Sequence, residues 1–587
     1  MNRIILVLAF AVFSNLVFSQ PKKETPVKQC DADQARQIVD QLALESKSVE
    51  ESDKKINILT KVADFLWDLD QPTARAYFSE AFKIAMERFE EKGLVNKSDT
   101  NFLVETEEDY RFSIIRTVAS KDAELAKKMT EAVLKAYDEN KNLDSRQSYQ
   151  KDQEIAQTLR FAMRISSSNP DLAMALFRRV KGYPISSSWV GVFRTLGQEN
   201  PALGNQIYSE LLEIHPNDEI SNLLNLSGYP FGKHGIFGSP YYADFGQVDP
   251  LPVNPALQRM FLNVFLNRVI NLKPGESGDG QRIPPAGYAL SALREFEPFI
   301  RRDFPDLMAK FSAALANANA LVTDEGRKNM DQLDKFKERA GMSFEQKIAE
   351  LELMEEKGTL TDFMIVTLIN QARKQEELEM LEPWLDKIKE PKVKEQSLNF
   401  FFFNSSQVAI NEKRFADARK LAEKVPQIEH RAVLYFDMAE MKLMEPLTRV
   451  ESLEILTEVY KMAEKAPDSV EKAQVLLGLA YMFKKIDRFN AFEALSKTVQ
   501  ATNKLDNPNL FTNFISYRIV GKNFGVFAGY SVPGFNISQT LDEMSKEDFQ
   551  GALSYSRGFS DRYVRTLAVL ATVKGCEKIG LEKKAEK

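Results

Sequence analysis

The feature that most constrains this chain is a helical hairpin that recurs along it. Ile56, Leu59, Val62, Leu66 and Leu69 follow one another at steps of three and four, which places them on one face of a helix. Asp70-Gln71-Pro72 breaks the rhythm, and Ala74, Phe78, Ala81, Phe82 and Ala85 resume it. Shifting the chain by 417 residues lays Ile58-Leu59 on Val475-Leu476, Val62-Ala63 on Leu479-Ala480, Asp70 on Asp487, Ala74 on Ala491 and Phe78 on Leu495. Partial copies of the first helix occur at Ile114-Ile115 with Val118-Ala119, Val192-Phe193 with Leu196-Gly197, and Leu434-Tyr435 with Met438-Ala439. An apolar pair, a gap of two, then an apolar and a small residue is what a hairpin needs. The small residue lets the partner backbone approach, and the apolar ridges fill the groove beside it.

The second helix has its own signature. Asn169-Pro170-x-Leu172-Ala173-x-x-Leu176-Phe177 is matched 31 residues later by Asn200-Pro201-x-Leu203-Gly204-x-x-Ile207-Tyr208. Asparagine at the N-cap satisfies the first free N–H groups, and proline at the first helical position lacks an N–H that would have no partner. Asp122-Ala123-x-Leu125-Ala126-x-x-Met129 is a weaker copy, and Arg414-Phe415 with Leu421 and Val425 returns as Arg488-Phe489 with Leu495 and Val499. Self-similarity of this size predicts an all-α chain of stacked antiparallel helix pairs, an α-solenoid. It resembles the divergent tetratricopeptide-like superfamily of helical repeats over residues 46–220 and 291–505. No copy carries the full Trp-x2-Leu-Gly-x2-Tyr pattern. The resemblance implies a concave surface for a protein or peptide partner and transfers no individual binding residue.

Composition agrees with helices. Only 26 glycines and 24 prolines occur in 587 residues, too few for an all-β sandwich or a disordered chain. Lys and Arg number 78 against 84 Asp and Glu, an excess of the wrong sign for phosphate contacts, so no nucleic-acid partner is expected. Three histidines and two cysteines leave little material for metal or haem ligation, and no cofactor is expected.

Residues 1–19 read as a signal peptide: Arg3 is basic, Ile4 to Phe13 is apolar, and Val17 and Ser19 fit the −3 and −1 positions of a cleavage site before Gln20. Ser14 and Asn15 break the apolar run short of the ~20 residues a membrane span needs. The mature protein is therefore expected to be exported, periplasmic or extracellular, with no transmembrane span. Residues 20–45 read as an extended lead-in carrying Cys30, 46–225 as N-terminal repeats, 291–505 as C-terminal repeats, and 506–587 as a capping segment. Cys576 lies on an apolar helical stripe with Val569, Val573 and Ile579, the setting of a buried thiol.

Between the repeats, residues 226–290 hold 9 of the glycines and 8 of the prolines, with one helix from Pro255 to Leu272. Six aromatics between Leu226 and Pro255 argue that this insertion is ordered. It either plugs a seam of the solenoid or presents a partner or ligand surface built from Tyr229, Phe231, His234, Tyr241 and Tyr242, and only the first reading requires those rings to be buried. His234 shares the loop with Asp244 and Asp249, though spacing alone fixes no acid–base or metal geometry. A second irregular segment, Gly521 to Gly534, has glycines four apart, as in close helix packing or a glycine-rich turn. Helices from Leu541 to Arg557 and Asp561 to Ile579 are expected to close the chain.

Catalytic signatures are missing. There is no His-Glu-x-x-His. Gly521-Lys522-Asn523 lacks the first glycine and the hydroxyl of a phosphate loop, and Gly529-Tyr-Ser531-Val-Pro-Gly534 misses the nucleophile elbow by one residue. Asp68, Asp70 and Asp487 read as helix-junction caps. Glu105, Glu107, Glu108 and Asp109 read as an acidic helix start. His215 is placed at a helix end near free carbonyls, His430 on the surface, and Phe400 to Phe403 in a helix buried on both faces. The expected function is that of an exported scaffold or protein-binding module without catalytic residues. The alternatives are a carbohydrate-active enzyme on an α/α toroid and a purely structural spacer.

Overall fold

The computed structural model describes residues 32–92, 109–138, 145–233, 236–237, 251–274, 284–324, 326–327, 339 and 341–585. The chain divides into two bodies, one of residues 42–426 with 516–529, the other of 427–515 and 530–587 with the N-terminal segment to residue 41. Both are built from helices. The stretch expected as an extended lead-in is helical from Ala32 on, as α1 (Ala32–Ser46), with Val39 and Ala43 fully buried. Its apolar residues at steps of three and four outweigh the polar composition that precedes them.

In the first body the pairs follow in order: α2 (Ser52–Leu66) with α3 (Gln71–Lys92), α4 (Tyr110–Ala119) with α5 (Ala123–Asp138), α6 (Ser145–Ile165) with α7 (Pro170–Val180), and α8 (Ser188–Glu199) with α9 (Pro201–Ile214). First helices α2, α4, α6 and α8 pack on one another in series, and second helices α5, α7 and α9 do the same. Each pair thus buries the face its neighbour exposes, which is the packing rule of a solenoid. The repeated Asn-Pro signature has one geometry in both copies. Asn169 and Asn200 adopt φ −145° and −148°, and their side chains accept the N–H groups of Leu172 and Leu203 at 3.1 and 3.2 Å.

The series continues through α10 (Ile220–Leu224), α11 (Pro255–Ile270), α12 (Pro285–Asp303) and α13 (Met308–Leu321), then α14 (Phe344–Glu356), α15 (Asp362–Gln371), α16 (Gln375–Leu381), α17 (Pro391–Asn411) and α18 (Phe415–Ala422). In α17, Phe400, Phe401 and Phe403 are buried, so this helix is covered on more than one side as its sequence implied.

The second body repeats the plan with α19 (Ile428–Leu443), α20 (Arg449–Lys465), α21 (Val470–Phe483), α22 (Arg488–Thr502), α23 (Ile537–Glu547), α24 (Phe549–Arg557) and α25 (Arg562–Ala585). Here α19, α21, α23 and α25 form one packed series and α20, α22 and α24 lie beside them. The positions aligned across 417 residues are equivalent: Ala63 and Ala480 are both fully buried, as are Phe78 and Leu495. Asp70 accepts the N–H of Thr73 at the start of α3, and Asp487 those of Phe489 and Asn490 in α22. The single closing helix expected from Leu541 to Arg557 is two helices. Asp548 interrupts it and caps the second by accepting the N–H of Gly551.

The glycine-spaced segment is neither a helix contact nor a turn region. It is a hairpin of β1 (Phe514–Gly521) and β2 (Phe524–Ser531), the one sheet among the described residues. Residues 515, 517, 519 and 521 of β1 are buried and those between them are not, the two-residue period of a strand on a core. Tyr517 lies between Phe400 and Phe403 of α17, with ring centroids 5.1 Å from each.

Candidate functional site

The insertion is seated on α8 and α9 by two glycines. In the repeat signature the small residue of the first helix is Ala63, Ala439 or Ala480, but in α8 it is Gly197. Likewise Ala173 of α7 is replaced by Gly204 in α9. A Cβ on Gly204 would lie 2.6 Å from the Tyr229 hydroxyl, and one on Gly197 would lie 2.7 Å from Leu251 Cδ2 and 3.0 Å from Tyr229 Cε2. The Tyr229 ring fills the space of those missing methyls. It packs 5.0 Å from Phe193 and 5.5 Å from Tyr208, centroid to centroid, and its hydroxyl donates to Asn205 Oδ1 at 2.9 Å. Tyr208, wholly buried, donates to the carbonyl of Leu226 at 3.0 Å. Burial pushes the Tyr229 phenol up to about 12 and raises that of Tyr208, so both are neutral donors at ordinary pH.

Phe231 enters a second ring cluster with Phe237 and Phe296, at 5.0 and 5.5 Å, and Lys233 places its ammonium 4.1 Å from the Phe237 centroid. Directly after Phe231 the backbone turns at Gly232, whose φ of +73° and 2.8 Å approach of a notional Cβ to the Leu251 carbonyl admit no other residue without strain. Of the residues considered for a partner surface, Tyr229 and Phe231 are therefore buried seam anchors. His234, Tyr241 and Tyr242 lie outside the described residues, as do Asp244, Asp249, Cys30 and the side chain of Cys576. A small cleft remains beside the seam, lined by Val190, Arg194, Asn225, Tyr229, Lys233 and Leu251.

The remaining candidates have structural duties. His215 donates from Nε2 to the carbonyl of Lys181, at 2.6 Å, just past the end of α7. Its carbonyl partner thus belongs to the neighbouring helix and not to its own. His430 is not a surface residue: it is 7% exposed in α19, and burial holds its imidazole down to about 4. Asp109 caps α4 and, with Glu154, holds the buried guanidinium of Arg111, at 2.8 and 2.6 Å. Glu105, Glu107 and Glu108 lie outside the described residues. Among the described residues no His, Cys, Asp and Glu cluster of metal-binding size occurs.

One surface escaped the sequence reading. The turn between α19 and α20 and the first residues of α20 carry Met444, Leu447 and Val450, all strongly exposed, with Leu447 at 98%. Arg449 donates from this turn to the carbonyls of Lys485 and Ile486, at 3.3 and 3.4 Å, which draws it to the next turn of the second body. Three residues on stands Phe489, 77% exposed. The Arg-Phe signature that repeats at 414 and 488 is thus not a core feature in its second copy. Its phenylalanine is exposed in the first turn of α22, so the ends of two successive hairpins carry four exposed apolar residues, Met444, Leu447, Val450 and Phe489, which form an apolar ridge. The signal was there in Met444-Glu-Pro-Leu447, apolar residues astride a helix-ending proline.

No protein-family model matches the chain, and no curated protein matches it. A search of solved structures finds a circular tandem repeat protein with novel repeat topology and enhanced subunit contact surfaces. It is 12% identical over 94% of this chain and 98% of that one, at a TM-score of 0.11. The class rests on the chain's own architecture, an all-α helical-repeat protein with an irregular insertion at its centre. Among the described residues no helix is long and apolar enough to cross a membrane.

Proposed function

We propose that this chain is an exported scaffold, periplasmic or extracellular, that binds a protein or peptide partner and carries out no catalysis. The observation that carries the reading is the ridge of Met444, Leu447, Val450 and Phe489. Single exposed apolar residues are common, but four on adjoining turns mark a contact surface. The occupant we favour is an apolar protein segment, in line with the partner surface that the tetratricopeptide-like resemblance implies. Lipid is the weaker choice because three basic groups around the ridge are matched by carboxylates, Lys442 with Glu451, Lys485 with Glu440, and Arg488 with Asp548, at 2.6, 2.5 and 2.5 Å, and Arg449 is turned to the carbonyls of Lys485 and Ile486. An anionic membrane surface selects an unmatched basic face. A non-catalytic role is supported by the use of Asp70, Asp109, Glu154 and Asp487 as caps and ion-pair partners.

The test is a comparison of the wild type with Leu447→Ser/Phe489→Ser. A partner cross-linked to the wild type in the exported fraction, then purified and titrated, is expected to bind the variant at least about tenfold more weakly, a loss of about 1.4 kcal/mol. Equal affinity would reject the ridge as the contact. Failure to find any partner in the exported fraction would favour the spacer reading.

A further inference from the structure

The β-hairpin has one covered edge and one bare edge. On the outer edge of β1, the N–H of Val520 donates to Gln396 Oε1 at 3.0 Å, and that of Lys522, in the turn, to Glu390 Oε2 at 3.3 Å, both supplied by the start of α17. The register of the pair follows from its two-residue turn and from the bond between Val532 N–H and the Asn513 carbonyl. In that register the N–H and C=O groups of Phe524, Val526 and Ala528 point to β1, and those of Gly525, Phe527 and Gly529 point away. Among the described residues no backbone group meets this outward row. Phe527 is 48% exposed and Gly529 is exposed as well.

Edge strands are ordinarily blunted by lysine, proline, a bulge or a covering element. Phe524-Gly-Val-Phe527-Ala-Gly-Tyr530 has no charge and no proline. It also reads nearly the same in both directions about Phe527: Phe524 mirrors Tyr530, Gly525 mirrors Gly529, and Val526 mirrors Ala528. A foreign strand has no need of that symmetry. An antiparallel copy of the same strand does, because a two-fold axis at Phe527 sets every residue opposite its mirror.

We propose that β2 is a homodimerisation edge, pairing antiparallel with β2 of a second copy so that two hairpins join into one four-stranded sheet. Phe527 faces Phe527 of the second copy as a hydrogen-bonded pair, and Gly525 faces its Gly529. All three outward donors and acceptors are then satisfied in the register that the hairpin itself dictates. The flanking glycines leave room for the two Phe527 rings to lie across the opposite backbone, the arrangement in which an aromatic shields a strand glycine. A single pair of short strands buries less than the ~1,200 Å² of a stable interface, so the dimer is weak and depends on concentration.

Sedimentation velocity of the full chain is expected to show reversible dimerisation, with a dissociation constant on the order of 100 µM, and amide exchange at Gly525, Phe527 and Gly529 that slows as concentration rises. Phe527→Pro removes an N–H that the hairpin does not use, and Phe527→Lys sets like charges face to face across the axis. Each is expected to weaken the dimer at least about tenfold while circular dichroism and melting stay as in wild type. The proposal is overturned if the wild type stays monomeric to about 500 µM, or if the dimer survives both substitutions. It is also overturned if those amides become protected only when a different protein is added, which would make the edge a site for a foreign strand.

Discussion

The seat of Tyr229 on Gly204 can be tested by a mutant cycle whose sign comes from the structure. In Gly204→Ala the new methyl would stand 2.6 Å from the Tyr229 hydroxyl and 3.2 Å from Leu196 Cβ. Overpacking of that kind costs about 1–3 kcal/mol, against a gain of about 1 kcal/mol from alanine's better helix propensity, so a net loss of about 0–2 kcal/mol is expected. Tyr229→Phe loses the bond to Asn205, worth about 1 kcal/mol. In the double variant the hydroxyl is gone and the nearest ring atom, Cζ, is 3.3 Å away, a contact that a slight shift relieves. The double variant should therefore be more stable than the sum of the singles by about 1–2 kcal/mol. Trp189, fully buried and stacked on Phe193 at 5.7 Å, reports this region by its fluorescence once Trp67 and Trp384 are replaced by Phe. Urea titration of the four proteins gives the cycle. Additivity within about 0.5 kcal/mol would show that Tyr229 is not held by the missing methyl.

Ala480→Leu and Ala63→Leu, at equivalent and fully buried positions, should each destabilise their own body by about 1–3 kcal/mol, and denaturation curves that match the wild type would deny the equivalence. Asn200→Ala should cost about 1 kcal/mol by freeing the N–H of Leu203, whereas Asn200→Asp should cost little; hydrogen exchange in the first turn of α9 measures both. The His430 imidazole, held down to about 4, binds its proton in the unfolded chain before the folded one. Its share of stability is thus complete above about pH 6.5 and is lost as pH falls from there toward 4; an NMR titration giving His430 a pKa near 6.5 would refute the burial argument. Intact-mass measurement of the native exported protein should find residues 1–19 missing, and full-length protein in the cytosol would end the export reading.

The hairpins were legible because both helices of a pair repeat at the helical period and share caps that work through local chemistry alone. The strands were not. Gly521, Gly525 and Gly529 suggested helix packing, and the Lys522-Asn523 turn lacks the Asn-Gly pattern that announces a hairpin. Only β1 alternates in burial, and what it alternates against is α17, more than a hundred residues earlier. His430 was misplaced for a related reason. Its neighbours Glu429 and Arg431 are charged, but a helix turns each side chain 100° from the last, so they say nothing about where the imidazole points. The ridge was hidden because Met444, Leu447 and Val450 keep the helical step of three although they straddle the break between α19 and α20.

Which slots hold alanine and which hold glycine carries a meaning of its own. At Ala63, Ala439 and Ala480 the small side chain is buried in the repeat's own packing. Where a ring or branched side chain from elsewhere arrives, the residue is glycine: Gly197 and Gly204 under Tyr229 and Leu251. Glycine inside a helix costs about 1 kcal/mol relative to alanine, while burying a large aromatic or leucine side chain returns about 1.5–3 kcal/mol. The exchange is favourable only if the incoming side chain is truly seated, so each such glycine marks an attachment point for something outside the repeat. The insertion is held to α8 and α9 by two of them. Met444, Leu447, Val450 and Phe489, exposed on their turns, are seated against nothing of the kind. That contrast is the physical reason to look for a partner at the ridge and not at the aromatic seam.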